Sequence, residues 1–389
     1  MNAGHVLPGI AAMQDEMIAL RHSLHAHPEL GFEEFATSER VAACLSQWGF
    51  QVSTGVGKTG VVGTLKNGEG RSIGLRADMD ALPIQETTGL PYASRIDGVM
   101  HACGHDGHTA TLLTAARHLA QTRAFKGTLQ LIFQPAEEGL GGARKMLEEG
   151  LLERFPCDAI FAMHNVPGYP AGHLGFYSGP FMASADTVTI NIIGNGGHGA
   201  VPHKAVDPVV VCSSIVIALQ SIVSRNVNPQ DVAIITVGSI HAGTASNVIP
   251  SSAQMSLSVR ALTPEIRQLL EVRITELVNG QAASFGARAE IDYQHCHPVL
   301  INHPESTAFA RDVAREWLGE GQLIDNLRPF TASEDFAFIL EKCPGSYLVI
   351  GNGDGESGCL LHNPGYDFND ACLPIGASYW VKLVERFLS

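Results

Sequence analysis

Apolar residues recur at helical spacing over about residues 9–25 and 34–48, with Leu20, Leu24, Val41 and Leu45 on the apolar faces. Short apolar runs that end in polar residues follow: GVVGTL, SIGLRADMD, TLQLIFQPAEE and DAIFAMHN. Between two of them, TATLLTAARHLAQTR predicts a helix opening just after Gly107. Strands alternating with helices predict an α/β layer with a substantially parallel sheet. Ligands of such sheets bind beyond the carboxyl ends of the strands, where Asp78, Glu137, Glu138 and His164 fall.

Near residue 185 the pattern changes. DTVTINIIGNGG alternates like a half-exposed strand, and a helix follows from an Asp207 cap through Pro208 to about Ser224. DVAIITVGSI and AQMSLSVRAL alternate on either side of a Gly/Pro-rich loop, a helix covers about 264–279, and ARAEIDYQHC reads as a further strand. This order predicts a compact α+β insert, an antiparallel sheet with helices on one face. The α/β pattern then resumes with a helix over 304–318, the segment SEDFAFIL, the strand SYLVIGNG, His362 and a final helix. The expected division is therefore a discontinuous domain of residues 1–184 and 298–389, interrupted by an inserted domain of 185–297.

The length of 389 residues supports two domains, since single cores stop growing at roughly 250–300. A formal net charge of -14 argues against nonspecific nucleic-acid binding, which needs clustered Lys and Arg. The eight cysteines lack paired short spacings and read as reduced thiols, which points to the cytoplasm. MNAGHVLPGIAAMQDE lacks the basic and apolar stretches of a leader, and no run of about 18 apolar residues predicts a membrane span.

The chemistry lies in four short motifs at predicted strand ends. They offer Cys103 and His105 in HACGHDGH, Glu137 and Glu138 in FQPAEEG, His164 in AMHN and His362 in LHNPGYDF. Thiolate, imidazole and carboxylate together suit zinc or another late divalent ion. A lone histidine after an apolar run is more often structural, so the whole set, rather than any member, carries the inference. Of the adjacent glutamates, one can bind metal while the other stays free to take a proton from water, and sequence leaves open which does which. A separate stretch, Gly194 to Gly199, matches GxGxxG after a strand. Pro202 intervenes before the next helix, and the motif reads as a tight turn rather than a dinucleotide site.

With these residues in view, the chain resembles the metal-dependent amidohydrolases that include hippurate hydrolase, bacterial aminoacylases and plant auxin-conjugate hydrolases. The match runs through LRHSLHAHPELGFEE, RADMDALP, MHACGHDGHTA, QPAEEG, AMHN, GGHGAVPH, GTASNVIP, SEDF and LHNPGYDFND. The resemblance implies a zinc-peptidase-like catalytic domain with a mixed, largely parallel sheet, and an inserted lid or dimerisation domain. It implies two divalent ions per subunit (zinc, manganese, nickel or cobalt) on Cys103, His105, Glu138, His164 and His362, with Glu137 as general base and acid. Where the wider clan has an HxD motif this chain reads Arg76-Ala77-Asp78, which leaves Asp78 to orient a ligand. His198 resembles a lid histidine that stabilises the oxyanion in a neighbouring subunit, and Asn247 and Arg260 resemble a pair that binds the substrate carboxylate.

The expected reaction is hydrolysis of an N-acyl amino acid, hippurate-like or N-acetylated, by a homodimer or higher homo-oligomer, without nucleic-acid or membrane partners. A dipeptidase or carboxypeptidase is the alternative within enzymes. A catalytically silent protein that binds metal or acyl-amino acid is the alternative outside them.

Overall fold

The computed structural model describes residues 5–353 and 359–389; Met1–Gly4, part of the stretch read above as lacking a leader, lie outside it. The chain divides into two compact units. One comprises Met1–Gly179, Ile301–Arg328 and Asp335–Ser389, the other Pro180–Leu300 and Pro329–Glu334. The second thus takes in Pro329–Glu334, which the sequence reading leaves in the outer segments. The reason is pairing: Ala183 N donates to Phe330 O at 3.1 Å and to Ala332 O at 2.9 Å.

In the first unit a seven-stranded sheet runs in the order Gln51–Val56, Gly60–Asn67, Gly127–Gln134, Ser72–Asp78, Ala159–Val166, Gly345–Gly351, Leu174–Gly175. Its middle strands pair in parallel and its outer ones antiparallel, so the sheet is mixed and largely parallel, as the alternation of elements predicts. Ser72–Asp78, Ala159–Val166 and Gly345–Gly351 are buried almost end to end, the condition of strands covered on both faces. The helices His105–Thr122 and Leu373–Phe387 pack on each other, with Leu112, Ala116, Leu119, Val381 and Val384 in the shared core. Each large aliphatic side chain so buried contributes roughly 1.5–3 kcal/mol, enough to fix the layers.

Three elements differ from expectation. The first helical stretch breaks into Pro8–Ala11 and Gln14–His25. The edge strand Gln51–Val56, mostly exposed, has no apolar run that would announce it. The helix expected after Gly107 opens at His105. Gly104, at φ 89°, makes the turn into it; a Cβ there would lie 2.5 Å from Asn165 Oδ1 and 2.9 Å from Tyr366 Oη. Only glycine turns the chain at that point, and His105 becomes the first helical residue.

The first turn of that helix is anchored by a buried ion cluster. Arg21, fully buried on Gln14–His25, donates from Nε to Asp106 Oδ2 at 2.8 Å and from Nη1 to Asp370 Oδ1 at 3.3 Å, and also contacts Asp367. His25 Nδ1 lies 2.9 Å from the same Asp106 oxygen. Burial alone would raise the Asp106 carboxyl, but Arg21 and then His25 hold it well below the usual range. Burial would likewise lower His25, yet Asp106 outweighs it and raises the imidazole.

The second unit holds a four-stranded antiparallel sheet ordered Ala233–Ala242, Ser252–Ala261, Ala185–Ile193, Arg288–His297. Alternate residues Val188, Ile190, Ile192, Met255, Leu257 and Val259 face a core shared with the helices Pro208–Asn226 and Pro264–Ser284. Each helix starts at proline behind a side-chain cap, Asp207 accepting from Val209 N at 2.9 Å and Thr263 from Ile266 N at 3.2 Å. Pro208–Asn226 is long and apolar enough to cross a membrane by length and composition. Its stripe of Val211, Cys212, Ile215, Leu219 and Ile222 is buried in this core, as in a core helix.

Removing Arg21 would strip the buried Asp106 of its main counter-charge and leave it to His25. Arg21→Met is expected to lose about 3–5 kcal/mol in urea unfolding at pH 7. A loss within error of zero would show that the cluster does not anchor the helix.

Candidate metal centre

Register sets the site. Asp78 pairs with Gln134 and Arg76 with Ala162, so Asp78, Gln134 and His164 come to about one level at one edge of the sheet. Past Gln134 the chain bends sharply at Ala136, a non-glycine residue held at φ 53°. Such a conformation costs on the order of 1 kcal/mol or more and needs support. Glu34 supplies it: its Oε1 accepts from Ala136 N at 2.8 Å, its Oε2 from Thr59 Oγ1, and burial raises its carboxyl above the usual range. The bend presents Glu137 and Glu138 in succession. His362 sits in a second left-handed turn at φ 65°, pinned by its own amide donating to Ala102 O at 2.8 Å.

All five expected ligands converge in the first unit. Potential donor atoms of Cys103, His105 and His164 lie within 4.8 Å of one another, and so do those of Cys103, Glu138 and His362. Cys103 belongs to both groups. His164 donates from Nδ1 to Asn165 O at 2.7 Å, which leaves Nε2, 3.3 Å from Cys103 Sγ, as the nitrogen available to an ion. His105 donates from Nδ1 to Asp80 O at 2.9 Å, while its Nε2 is buried without a hydrogen-bond partner. Such an orphaned nitrogen fits coordination to an ion. His362 Nε2 approaches Glu138 Oε1 to 3.1 Å. The donor set fits divalent metal.

The electrostatics agree. Burial, and then the Glu138 carboxylate, push the Cys103 thiol well above its usual range. Burial, and then His108, lower His164 and keep it neutral. Burial would lower His105 too, but Asp78 and Cys103 raise it. A cation bound here must therefore displace protons from Cys103 and His105.

Glu137 groups with His105 and Glu138, and its Oε1 accepts from Asp335 N at 3.4 Å. Asp335 is itself fixed by Arg76 Nη2 at 3.2 Å, Gln134 Nε2 at 2.7 Å and Ala143 N at 2.8 Å. Asp78, expected to orient a ligand, is engaged elsewhere: Arg76 Nη1 donates to it at 2.6 Å and His108 Nδ1 at 2.6 Å, and its nearest approach to His105 Nε2 is 3.7 Å. The residue that holds His105 is Asp80, which the sequence reading passed over. Asn165 and Tyr366 were missed as well. They form one buried chain with His108, whose Nε2 lies 2.6 Å from Asn165 Oδ1.

The remaining expected residues lie in the second unit. Gly197–His198 pairs with Val248–Ile249, so His198 stands opposite Val248, beside Asn247, whose carbonyl accepts from Gly199 N at 2.8 Å. The glycine-rich stretch is explained by this close approach: a Cβ on Gly196 would lie 2.8 Å from Ile249 O, and one on Gly199 3.0 Å from Asn247 O. Ala200 N donates to His198 Nδ1 at 3.0 Å, which leaves Nε2 as the ring's hydrogen-bond donor. Arg260, on Ser252–Ala261, donates to Thr331 O at 3.0 Å.

Residues 74–386 match Peptidase family M20/M25/M40. The chain is 47% identical over 385 residues to a hippurate hydrolase of Campylobacter jejuni, covering 99% of this chain and 100% of that protein. It is 41% identical to an N-acetyl-L-cysteine deacetylase of Bacillus subtilis, covering 96% and 88%. Among solved structures, the Bacillus subtilis YXEP protein, a dinuclear metal binding peptidase from the M20 family, superposes with a TM-score of 0.85 at 36% identity, covering 97% and 99%. The chain belongs to the M20 peptidase family.

Because Cys103 is common to both donor groups, Cys103→Ala is expected to weaken the uptake of every ion, whereas His362→Ala spares the group that lacks it. Affinity in both wild type and His362→Ala should rise with pH, because each ion must displace a proton from Cys103. Metal titration of chelator-stripped protein with elemental analysis checks this; a Cys103→Ala variant that fills like wild type would refute the sharing.

Proposed function

We propose that this M20 enzyme hydrolyses the amide bond of N-acyl amino acids, hippurate-like or N-acetylated, to a carboxylic acid and a free amino acid. The observation that carries the reading is the division of labour at the end of Gly127–Gln134. Glu138 faces Cys103 and His362, whereas Glu137 is held by the amide of Asp335 beside the same centre. The hydrolase and deacetylase relatives support the substrate class.

We assign two divalent ions to the two donor groups, from among zinc, manganese, nickel and cobalt; thiolate and imidazole favour late metals over magnesium or calcium. Ions held there would supply Lewis acidity toward the amide carbonyl and make water a better nucleophile at neutral pH. Glu137 takes the proton of the attacking water and returns it to the leaving amine. His198 donates from Nε2 to the developing oxyanion, a role that fits a ring whose Nδ1 is occupied by Ala200 N. Asn247 and Arg260 receive the substrate carboxylate, for which a planar guanidinium is suited. We further assign the second unit the role of lid and dimerisation domain, with His198 serving a neighbouring subunit. The eight free cysteines fit a reducing compartment, the cytoplasm.

Glu137→Gln preserves shape and removes the base. It is expected to retain metal and to lose a factor of roughly 10²–10⁴ in kcat for hippurate or an N-acetyl amino acid, read as amino acid released. Near-normal turnover would sink the assignment.

A further inference from the structure

Along the helix that opens at His105, the first unit holds a cavity that takes no part in the metal centre. The helices Gln14–His25 and Phe35–Gln47 both pack on His105–Thr122, and among the three lies a space of about 290 Å³. Leu113, in its lining, stands about 12 Å beyond His105 along the helix axis. The volume is near the lower limit of small-molecule pockets, roughly 300–1,000 Å³, and far exceeds what a single water or ion fills.

Its walls are apolar and soft. Met13 lies one helical turn from Met17, and Cys44 one turn from Trp48, so each pair shares a face; Leu20 and Leu113 join them. Thioethers pack favourably on the edges of aromatic rings, and an indole stacks on or against such rings. The solvent side is polar, with Glu16, Gln47 and Arg117. Arg117 Nη1 donates to Glu16 Oε2 at 2.5 Å, and its other donors bond to no described residue. Arg40, one turn before Cys44, forms no ion pair among the described residues. Both guanidiniums act on the cavity wall: burial raises the Cys44 thiol, and Arg40 and then Arg117 oppose it. Two cations against one carboxylate leave a positive charge beside an apolar space, on a chain of net charge -14.

We propose that this cavity is a binding site for an aromatic monocarboxylate, its ring among Met13, Met17 and Trp48 and its carboxylate toward Arg117. An aliphatic acid forgoes the sulfur and indole contacts, and a neutral aromatic leaves the guanidinium without a counter-charge. The occupant named here, benzoate, rests on the N-acyl amino acid reading, since hydrolysis of a hippurate-like amide releases that acid. The product then has a place on the protein apart from the centre that forms it.

The test is methyl NMR of zinc-loaded enzyme carrying methyl-labelled methionine, titrated with benzoate, benzamide and cyclohexanecarboxylate. Met13 and Met17 are identified by their loss in Met13→Leu and Met17→Leu. Benzoate is expected to shift both methyls saturably, and the two comparison compounds to bind more weakly, benzamide by roughly tenfold. Arg117→Gln, a change at a surface pair, is expected to keep hippurate turnover and to weaken benzoate binding at the two methyls by roughly tenfold. Methyls unmoved by benzoate, equal binding of either comparison compound, or wild-type benzoate affinity in Arg117→Gln would each overturn the proposal. Hippurate turnover with both methyls unmoved would do so while leaving the substrate reading intact. Benzoate bound at these methyls by enzyme that releases none from hippurate would instead remove the substrate reading and leave the cavity site standing.

Discussion

The parallel register of the central strands is the constraint on which the rest of the first unit depends. Pairing Asp78 with Gln134 and Arg76 with Ala162 brings two strand ends level with His164 of the third strand. His164, opposite Val349 on Gly345–Gly351, lies within the same pairing. A slip of one residue in any strand would turn its side chains to the opposite face and scatter the donors. The buried apolar runs specify that register, so the hydrophobic core places the polar site.

Beyond the strand ends the backbone must turn sharply toward one point, and it does so at positions that few residues tolerate. Gly104 turns the chain into the helix that begins at His105; Ala136 and His362 adopt left-handed conformations without being glycine. Those conformations are held by specific partners, Glu34 on the amide of Ala136 and the Ala102 carbonyl on that of His362. Behind them the buried charges are matched one against another: Arg21 with Asp106, Arg76 with Asp78 and Asp335. His105 Nε2, facing the donor cluster, is left over. Glu138 Oε1, in the neighbouring donor group, likewise has no hydrogen-bond partner, so two unsatisfied buried atoms face the same donor cluster.

Much of this was legible in the chain. Apolar runs ending in polar residues located the central strands, and the ligand-type residues near their ends are ones the structure brings together, because burial and polar clustering both leave marks in residue type. The proline-and-cap start at Asp207 was read for the same reason. What escaped depends on who faces whom. Gln51–Val56 lies at the sheet edge with only Val56 fully buried, so no apolar run announces it. The helix start at His105 follows from the space around Gly104, which composition does not encode. RADMD presents two aspartates of equal chemistry; only side-chain direction gives His105 to Asp80 and commits Asp78 to Arg76 and His108.

The measurement that bears most directly on the account is anomalous diffraction at the zinc edge from crystals of the zinc-loaded protein. Two peaks are predicted, one bonded by Cys103, His105 and His164 and the other by Cys103, Glu138 and His362. A single peak, or an ion bound instead by Asp78 and His108, would contradict it.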